Sequence, residues 1–162
     1  MRLLIALLLM LAGHATAATI TVSGPEGDTP AVVAVQGLVK SEDIEVFRFR
    51  VARLSKAIVA FESDGGSLLA GNRIGELIRM KGFFTVVPSG ARCASACAIA
   101  WLGGTQRFMG EPALVGFHAA YRNDGSGPTE VGAVNAVLGA YLNTIGLSES
   151  AILYLRWQLP TQ

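Results

Sequence analysis

The chain has 162 residues, with 13 basic and 12 acidic side chains and a formal net charge of +1. This near-neutral balance, without a basic stripe or a block of like charges, argues against nucleic-acid binding and against a disordered charged arm. Hydrophobic residues make up 51% of the chain and charged residues only 15%. That composition suits a single domain with a sheet buried on both faces, or a surface hidden against copies of itself.

Residues 1–17 have the pattern of a secretory signal peptide. Arg2 precedes an apolar run over Leu3–Ala12, and Ala15–Ala17 forms an A-x-A cleavage motif. The apolar run is about half of the roughly 20 residues that span a bilayer, and the alternative is a buried N-terminal helix. We expect cleavage after Ala17, a periplasmic or secreted product, and no membrane anchor once the leader is removed.

A polar lead segment over 18–30 precedes the predicted domain, which covers 31–162. Its first element is a buried strand over Ala31–Gly37. Ser41 is the predicted N-cap of a helix whose apolar residues recur at helical spacing between Ile44 and Leu54. The alternation of apolar and polar residues in the same stretch leaves a strand open as the alternative.

The middle of the chain alternates strands with a helix. Ala57–Glu62 predicts a strand that stops at the turn sequence Ser-Asp-Gly-Gly, residues 63–66. The apolar positions of Ser67–Lys81 share one helical face, and Gly82 provides the helix stop. Phe83–Pro88 is the next predicted strand.

The C-terminal part contains one more predicted strand, over Ala113–His118, followed by a glycine-rich loop and two apolar helices. The helices are expected over about Thr129–Ile145 and Ser148–Trp157. Strands alternating with helices predict an α/β fold with a mainly parallel sheet built from right-handed βαβ units. Ligands bind such sheets at the carboxyl ends of the strands, where the Gly-Gly turn, Ser95 and His118 are all predicted to lie.

Ser95 stands between two alanines inside the segment Cys93–Cys97. A serine at a helix N-terminus has unpaired backbone N–H groups beside it, which could stabilise an oxyanion, and the small neighbours leave room for a substrate. The same position is also typical of a serine that only caps the following helix. The sequence therefore leaves a nucleophile and an N-cap as alternatives.

The two cysteines of this segment raise the question of a disulfide in an exported protein. On a helix, the Cα atoms of Cys93 and Cys97 would lie about 6 Å apart, within the range that a disulfide permits. Such a bridge would rigidify the backbone around Ser95 rather than stabilise the whole fold. Both redox states remain open from sequence alone. Two thiols without further ligands nearby do not predict a metal site.

His118 is the only histidine outside the predicted leader, because the chain contains just one other, His14. Histidine is the usual general base at neutral pH, so any Ser–His pair here must use His118. A structural histidine at the end of an apolar strand is the alternative.

The segment from Phe61 to Tyr121 resembles the Clp-type serine peptidases of the Clp/crotonase superfamily, and more closely their exported bacterial relatives with a C-x-S-A-C segment. The resemblance covers roughly Val32–Ile152 and rests on the order of three motifs: a Gly-Gly turn, a serine among alanines, and a histidine that closes a strand. It implies a spiral of ββα units with a mainly parallel sheet and C-terminal helices. It also implies homo-oligomers that form through those helices.

Carried over residue by residue, the resemblance implies Ser95 as nucleophile and His118 as general base. The backbone N–H groups of Gly66, or of Gly65 in its place, and of Ala96 would form the oxyanion hole. The implied substrate is a peptide or unfolded protein, and no cofactor is implied.

The sequence departs from this family at the third catalytic residue. The family's Asp would fall near Leu159 or Pro160, where this chain has no carboxylate, and a chain truncated at its C-terminus or a partner subunit would account for that. The other acidic residues considered are Asp124, Glu130 and Glu149, and none is assigned. A Ser–Lys pair would need one of the three lysines, Lys40, Lys56 or Lys81.

Three functions are therefore weighed. The first is an exported serine peptidase that works through an acyl-enzyme on Ser95. The second is a non-catalytic scaffold of the same fold that binds a peptide or protein partner in the same groove. The third, acyl-CoA chemistry on the same fold, fits an exported protein poorly.

Overall fold

A computed structural model describes residues 17–24, 29–118, 120–123 and 128–156. The predicted signal peptide up to position 16, and Asp124, lie outside the described residues. The helices and strands of the described residues follow in chain order: β1 Thr19–Ser23, β2 Ala31–Gln36, α1 Asp43–Val51, β3 Ala57–Glu62, α2 Leu68–Met80, β4 Phe84–Val87, β5 Arg92–Ala94, α3 Ala96–Leu102, β6 Arg107–Met109, β7 Leu114–Gly116, β8 Tyr121–Asn123, β9 Pro128–Glu130, α4 Gly132–Thr144 and α5 Glu149–Arg156.

The main sheet has five strands in the order β1-β2-β3-β4-β6. All neighbouring strands in it are parallel except β1, which runs antiparallel to β2 along the edge. β1 comes from the predicted polar lead segment, where Ile20 alone faces the core, so the sequence pattern did not reveal it. The predicted mainly parallel α/β sheet is confirmed.

The core forms between the inner face of the main sheet and helices α1 and α2. Val33, Val35 and Phe61 alternate inward along β2 and β3, and each is fully buried. Their period-two pattern is the one expected of a strand packed on one face. The apolar stripe of α2 covers this face with Ile74 and Ile78.

Helix α2 begins and ends where its sequence predicts. The Ser67 side chain accepts a hydrogen bond from the Ala70 N–H, which satisfies a donor of the first turn. Beyond the helix, Gly82 has φ +69°, a conformation that favours glycine.

Helix α1 begins one residue later than predicted. Its N-cap is Glu42 rather than Ser41, and the Glu42 side chain makes no capping bond within the described chain. Instead, the buried carboxylate of Asp43 accepts the Lys40 N–H. The strand alternative for this stretch is wrong, because Phe47 and Val51 reach the core from one side of a helix.

Helix α4 packs on α2 and α3 in a second apolar cluster. The Tyr141 hydroxyl donates to the Ile99 carbonyl oxygen at 3.0 Å, and burial raises the pKa of this phenol well above its ordinary value. A Cβ on Gly75 would lie 2.1 Å from the Tyr141 hydroxyl oxygen. A glycine at this position therefore lets Tyr141 join the three helices.

Two predicted C-terminal elements differ from the structure. The strand predicted over Ala113–His118 is the three-residue β7, which pairs with β5 in a separate two-stranded parallel sheet. Thr129, predicted as the start of a helix, lies in the antiparallel pair of β8 and β9 instead. The pairing of β5 with β7 joins residues that are distant in sequence, whereas β8 and β9 are consecutive strands that pair antiparallel, and both pairs are too short to show a periodicity pattern.

Within the described ranges, no helix combines the length and apolar character needed to cross a membrane.

Candidate active site

The Gly-Gly turn follows β3 and connects the two sheets. Ser63 joins β5 through two backbone hydrogen bonds, since its N–H donates to the Arg92 carbonyl at 2.8 Å and its carbonyl accepts the Ala94 N–H at 3.0 Å. The Ser63 side-chain oxygen accepts the Gly65 N–H at 3.1 Å. Gly65 and Gly66 have φ values of +111° and +131°, which a side chain would strain.

Ser95 sits at the sharp bend between β5 and α3. It has φ +55° and ψ −122°, and it is the residue other than glycine with positive φ in the described chain. Its hydroxyl makes no capping hydrogen bond with α3, a helix that lies wholly within the described residues. Ser95 therefore occupies the N-cap position that the alternative expected, but its side chain does not make the capping bond, and the strained backbone of this serine calls for another reason.

Close backbone packing holds this bend in place. The Ser95 N–H donates to the Gly116 carbonyl of β7 at 2.8 Å. A Cβ on Gly65 would lie 2.7 Å from the Ser95 Cβ, and a Cβ on Gly71 of α2 would lie 2.2 Å from the Ala96 carbonyl oxygen. Glycines at these two positions let the bend fit between the Gly-Gly turn and α2.

Cys93 and Cys97 form a disulfide that brackets Ser95. Cys93 lies in β5 and Cys97 in α3, with their Cα atoms 5.2 Å apart. Both cysteines are fully buried. The bridge thus ties the strand before the bend to the helix after it. It does not join two residues of one helix, the arrangement for which the Cα distance was predicted.

Ser95 and His118 line one pocket of about 400 Å³. His118 reaches it from the end of β7, and Gly66 reaches it from the turn after β3. The described residues that line this pocket are Asp64, Gly66, Leu68, Ser95, His118, Ala120, Val131 and Val134. Three motifs that are distant in sequence therefore meet at one cavity.

The backbone N–H groups of the Gly-Gly turn are not equivalent. Gly65 donates its N–H to Ser63 and its carbonyl accepts the Val39 N–H at 2.8 Å. The Ser67 N–H also donates a hydrogen bond to the Val39 carbonyl oxygen, at 2.8 Å. The Gly65 carbonyl and the Ser67 N–H therefore both face Val39. Because the Gly66 N–H points opposite to the Gly65 carbonyl across their shared peptide bond, it faces away from Val39, and Gly66 lines the pocket.

An ion pair includes one of the pocket-lining residues, Asp64. The Asp64 Oδ1 accepts a hydrogen bond from the Arg92 Nε at 2.5 Å, with both side chains largely exposed. This hydrogen bond, more than the accompanying charge attraction, lowers the pKa of Asp64, and the same contact raises that of Arg92. Asp64 also lines a neighbouring groove of about 470 Å³ with Leu38 and Leu114.

The far wall of the pocket comes from the chain after His118 and from the start of α4. The Asn135 side chain makes two hydrogen bonds to the backbone of Ala120: its Oδ1 accepts the N–H at 2.9 Å, and its Nδ2 donates to the carbonyl at 3.4 Å. The Ala120 carbonyl also accepts the Val131 N–H at 3.0 Å. The sequence does not single out Asn135, because an amide within an apolar helix has no distinctive spacing.

The lysines and acidic residues considered as further catalytic partners are absent from the lining of this pocket, as far as the described residues show. Lys81 donates from its Nζ to the Ala52 and Leu54 carbonyls at the end of α1, far from the carboxyl ends of the strands. No lysine is among the described residues that line the pocket. Of the acidic residues considered, Glu149 is exposed on α5, and Glu130 lies in β9.

Within the described parts of the chain, no group of three or more His, Cys, Asp or Glu side chains is placed to hold a metal ion.

Comparison with known proteins identifies similar folds only among solved structures. No protein-family model matches the sequence, and no curated protein matches it. The 1510-N membrane-bound stomatin-specific protease, in a variant with one serine replaced by alanine, superposes with a TM-score of 0.61 at 16% identity, covering 76% of this chain and 67% of that one. A lysine-to-alanine variant of that protease, in complex with a substrate peptide, gives 0.60 at 16% identity, covering 76% and 64%.

A protein of Pseudomonas aeruginosa is also similar, with a TM-score of 0.52 at 12% identity and coverage of 84% of this chain and 67% of that one. The chain thus spans about two thirds of the length of each of these three structures. At such low identities the likeness concerns the fold. The chain has a Clp/crotonase-like α/β fold, which it shares with the stomatin-specific protease.

Proposed function

We propose that this protein is a serine peptidase that cleaves peptide bonds through an acyl-enzyme on Ser95. The observation that carries the proposal is the meeting of Ser95 and His118 at one pocket, with the serine in a positive-φ bend that its hydroxyl does not help to cap. The likeness to a protease that was solved with a substrate peptide supports a peptide as substrate.

In the proposed reaction His118 takes the hydroxyl proton of Ser95, and the Ser95 Oγ attacks the carbonyl carbon of the substrate. The N–H groups of Gly66 and Ala96 stabilise the resulting oxyanion. His118 then gives the proton to the leaving amine as the C–N bond breaks, which leaves an ester on Ser95. A water molecule, activated by His118, hydrolyses the ester and restores the serine.

The orientation of the Gly66 N–H supports its place in this oxyanion hole, and the occupied Gly65 N–H argues against Gly65. Ala96 is the first residue of α3, where backbone N–H groups have no partner within the helix. The disulfide between Cys93 and Cys97 supports a fixed geometry around the nucleophile.

A fluorophosphonate probe tests the proposal. We expect covalent modification of Ser95 in the wild type, none in Ser95→Ala, and little in His118→Ala. Ser55→Ala, which changes an exposed serine, is the matched control and should be labelled like the wild type. Labelling that persists in Ser95→Ala would refute the proposed nucleophile.

A peptide-binding scaffold is the second candidate function. The pocket-lining carboxylate among the described residues is Asp64, and its Oδ1 accepts a hydrogen bond from Arg92. A protein that binds unfolded peptides in this pocket without reacting with the probe would have this function. Incubation of a bound peptide with the wild type and with Ser95→Ala distinguishes the two, because a scaffold leaves the peptide intact in both proteins and a peptidase leaves it intact only in Ser95→Ala.

We also propose that the protein is exported and assembles with copies of itself. Export is supported by the A-x-A motif at Ala15–Ala17 and by the disulfide, which is typical of an oxidising compartment. Self-assembly is supported by α4, which has no charged residue and exposes Ala133, Ala136 and Val137. A mass measurement on the purified, exported protein tests both statements.

A further inference from the structure

The carboxylate of Asp43, the first residue of α1, is buried beside the start of the described chain. Only 2% of this residue is exposed. Its Oδ2 accepts the Lys40 N–H at 2.7 Å and the Ala18 N–H at 3.2 Å. Among the described residues, no lysine or arginine nitrogen forms a salt bridge with it. A buried carboxylate without a cationic partner is costly, so this site calls for a positive charge.

Ala18 directly follows the A-x-A motif that ends at Ala17. Hydrolysis of the bond between Ala17 and Ala18 would leave a carboxylate on Ala17 and an amino group on Ala18, which is protonated at neutral pH. The nitrogen that becomes this ammonium group already donates to Asp43. The missing positive charge therefore arises at the required atom when the leader is removed.

We propose that Ala18 is the N-terminus of the mature protein and that its ammonium group forms a buried ion pair with Asp43. This pair replaces the isolated pairing of Ala17 with Leu38, which is lost with the leader. Asp43 thus acts as a receptor for the new N-terminus. The folded domain with the leader attached has the carboxylate but not its counter-ion.

This anchor adjoins the candidate active site. Asp43 fixes the backbone of Lys40, and the preceding residue, Val39, holds Gly65 and Ser67 on either side of Gly66. The Asp43 side chain and the backbone of Lys40 and Val39 therefore connect the mature N-terminus to the Gly-Gly turn. The anchor does not depend on the proposed peptidase activity and can be tested without it.

The test begins with the full chain expressed with export, and the mass of the purified product should correspond to loss of residues 1–17. The Ala18 amine is then acetylated in denaturant with the disulfide intact, at a pH where the lysines remain protonated. After refolding, thermal unfolding is compared for acetylated and unmodified protein. Asp43→Asn, which keeps an oxygen acceptor but no charge, is measured in the same way, and Glu42→Gln is the matched control on an exposed neighbour.

Acetylation should lower Tm by roughly 5–10 °C in the wild type and in Glu42→Gln, and should have little effect in Asp43→Asn. If Asp43→Asn does not fold, the decrease in Tm on acetylation of the wild type and of Glu42→Gln is the decisive measurement. An N-terminus other than Ala18 would overturn the proposal, as would an equal shift in all three proteins or no shift in the wild type.

Discussion

Asn135 of α4 holds the backbone of Ala120 at both its N–H and its carbonyl, two residues beyond His118. The hydrogen bonds tie the chain that carries the candidate base to the start of α4, which forms the far wall of the pocket. We infer that Asn135 is a positioning residue for His118. Its effect passes through the backbone of Ala120 and needs no contact with substrate.

Asn135→Leu should slow labelling of Ser95 by ten- to a hundredfold at saturating probe, on the order of the cost of a small misplacement of a catalytic group. The probe concentration for half-maximal rate should change little, since Ser95, Gly66 and Ala96 remain in place. Asn135→Asp keeps an acceptor for the Ala120 N–H and should give an intermediate rate. Quenched time courses of labelling over a range of probe concentrations measure both the maximal rate and the concentration for half-maximal rate.

The matched control for this experiment is Asn143→Leu, which changes an exposed amide of the same helix. It should react like the wild type. If both leucine variants lose rate equally, the effect belongs to α4 as a whole and Asn135 has no specific role.

A side chain at Gly65 should abolish activity by moving Ser95. The Cβ of Gly65→Ala would lie 2.7 Å from the Ser95 Cβ and 2.9 Å from the Ala94 carbonyl oxygen, on a backbone with φ +111°. We expect at least a hundredfold loss of labelling, together with a loss of about 2 kcal/mol in the free energy of unfolding from the strained backbone.

Gly82→Ala is the control for Gly65→Ala, because it strains the backbone without placing a side chain against Ser95. Gly82 has φ +69° and nothing within 4 Å of the position of a new Cβ. This variant should lose about 1 kcal/mol of stability and keep the wild-type labelling rate. Equal labelling of the two alanine variants in their folded state would contradict the role given to Gly65.

The sequence predicted the parts of the fold that depend on local periodicity. Strands β2, β3 and β4 and helix α2 follow from runs of apolar residues and from the Ser67 and Gly82 signals. Strands β5 and β6 are too short for such a pattern, and they form only because neighbouring strands supply the hydrogen bonds. Pairings of this kind depend on the tertiary structure, which no local window of sequence contains.

The candidate site was likewise predictable only in its chemically distinctive residues. A lone histidine and a serine between alanines are visible in a sequence, and both line the pocket. The positive φ of Ser95, the direction of the Gly66 N–H and the anchoring by Asn135 depend on hydrogen bonds between distant segments. The burial of Asp43 could not be predicted from the sequence either, because it depends on how α1 packs against the start of the described chain.

Removal of the disulfide should affect both the stability of the fold and the reaction at Ser95. In Cys93→Ala/Cys97→Ala the bend at Ser95 loses the covalent tie between β5 and α3. A loop this short stabilises the folded state by about 2 kcal/mol in the chain-entropy description. We expect a loss of that size in chemical denaturation and at least a tenfold slower labelling of Ser95 under conditions where the variant is fully folded. An unchanged labelling rate would mean that packing alone holds the bend.

The Asp64–Arg92 pair should influence which peptides bind rather than how stable the domain is. Both side chains are largely exposed, so Arg92→Ala should leave the unfolding midpoint near that of Arg73→Ala, which breaks the exposed pair with Glu76 on α2. Because the pair lowers the pKa of Asp64, its small stabilising effect is present above the ordinary Asp pKa and is lost as the pH falls through the lowered value.

Arg92→Ala leaves the Asp64 carboxylate without its partner at the edge of the pocket and of the neighbouring groove. Peptides with a basic residue should then gain about fivefold in kcat/KM relative to acidic ones at low salt, and less at high salt, where exposed charges are screened. Paired peptide substrates that differ in one charged residue, assayed at two salt concentrations, measure this preference. A change that is equal for both peptides would place the bound chain away from Asp64.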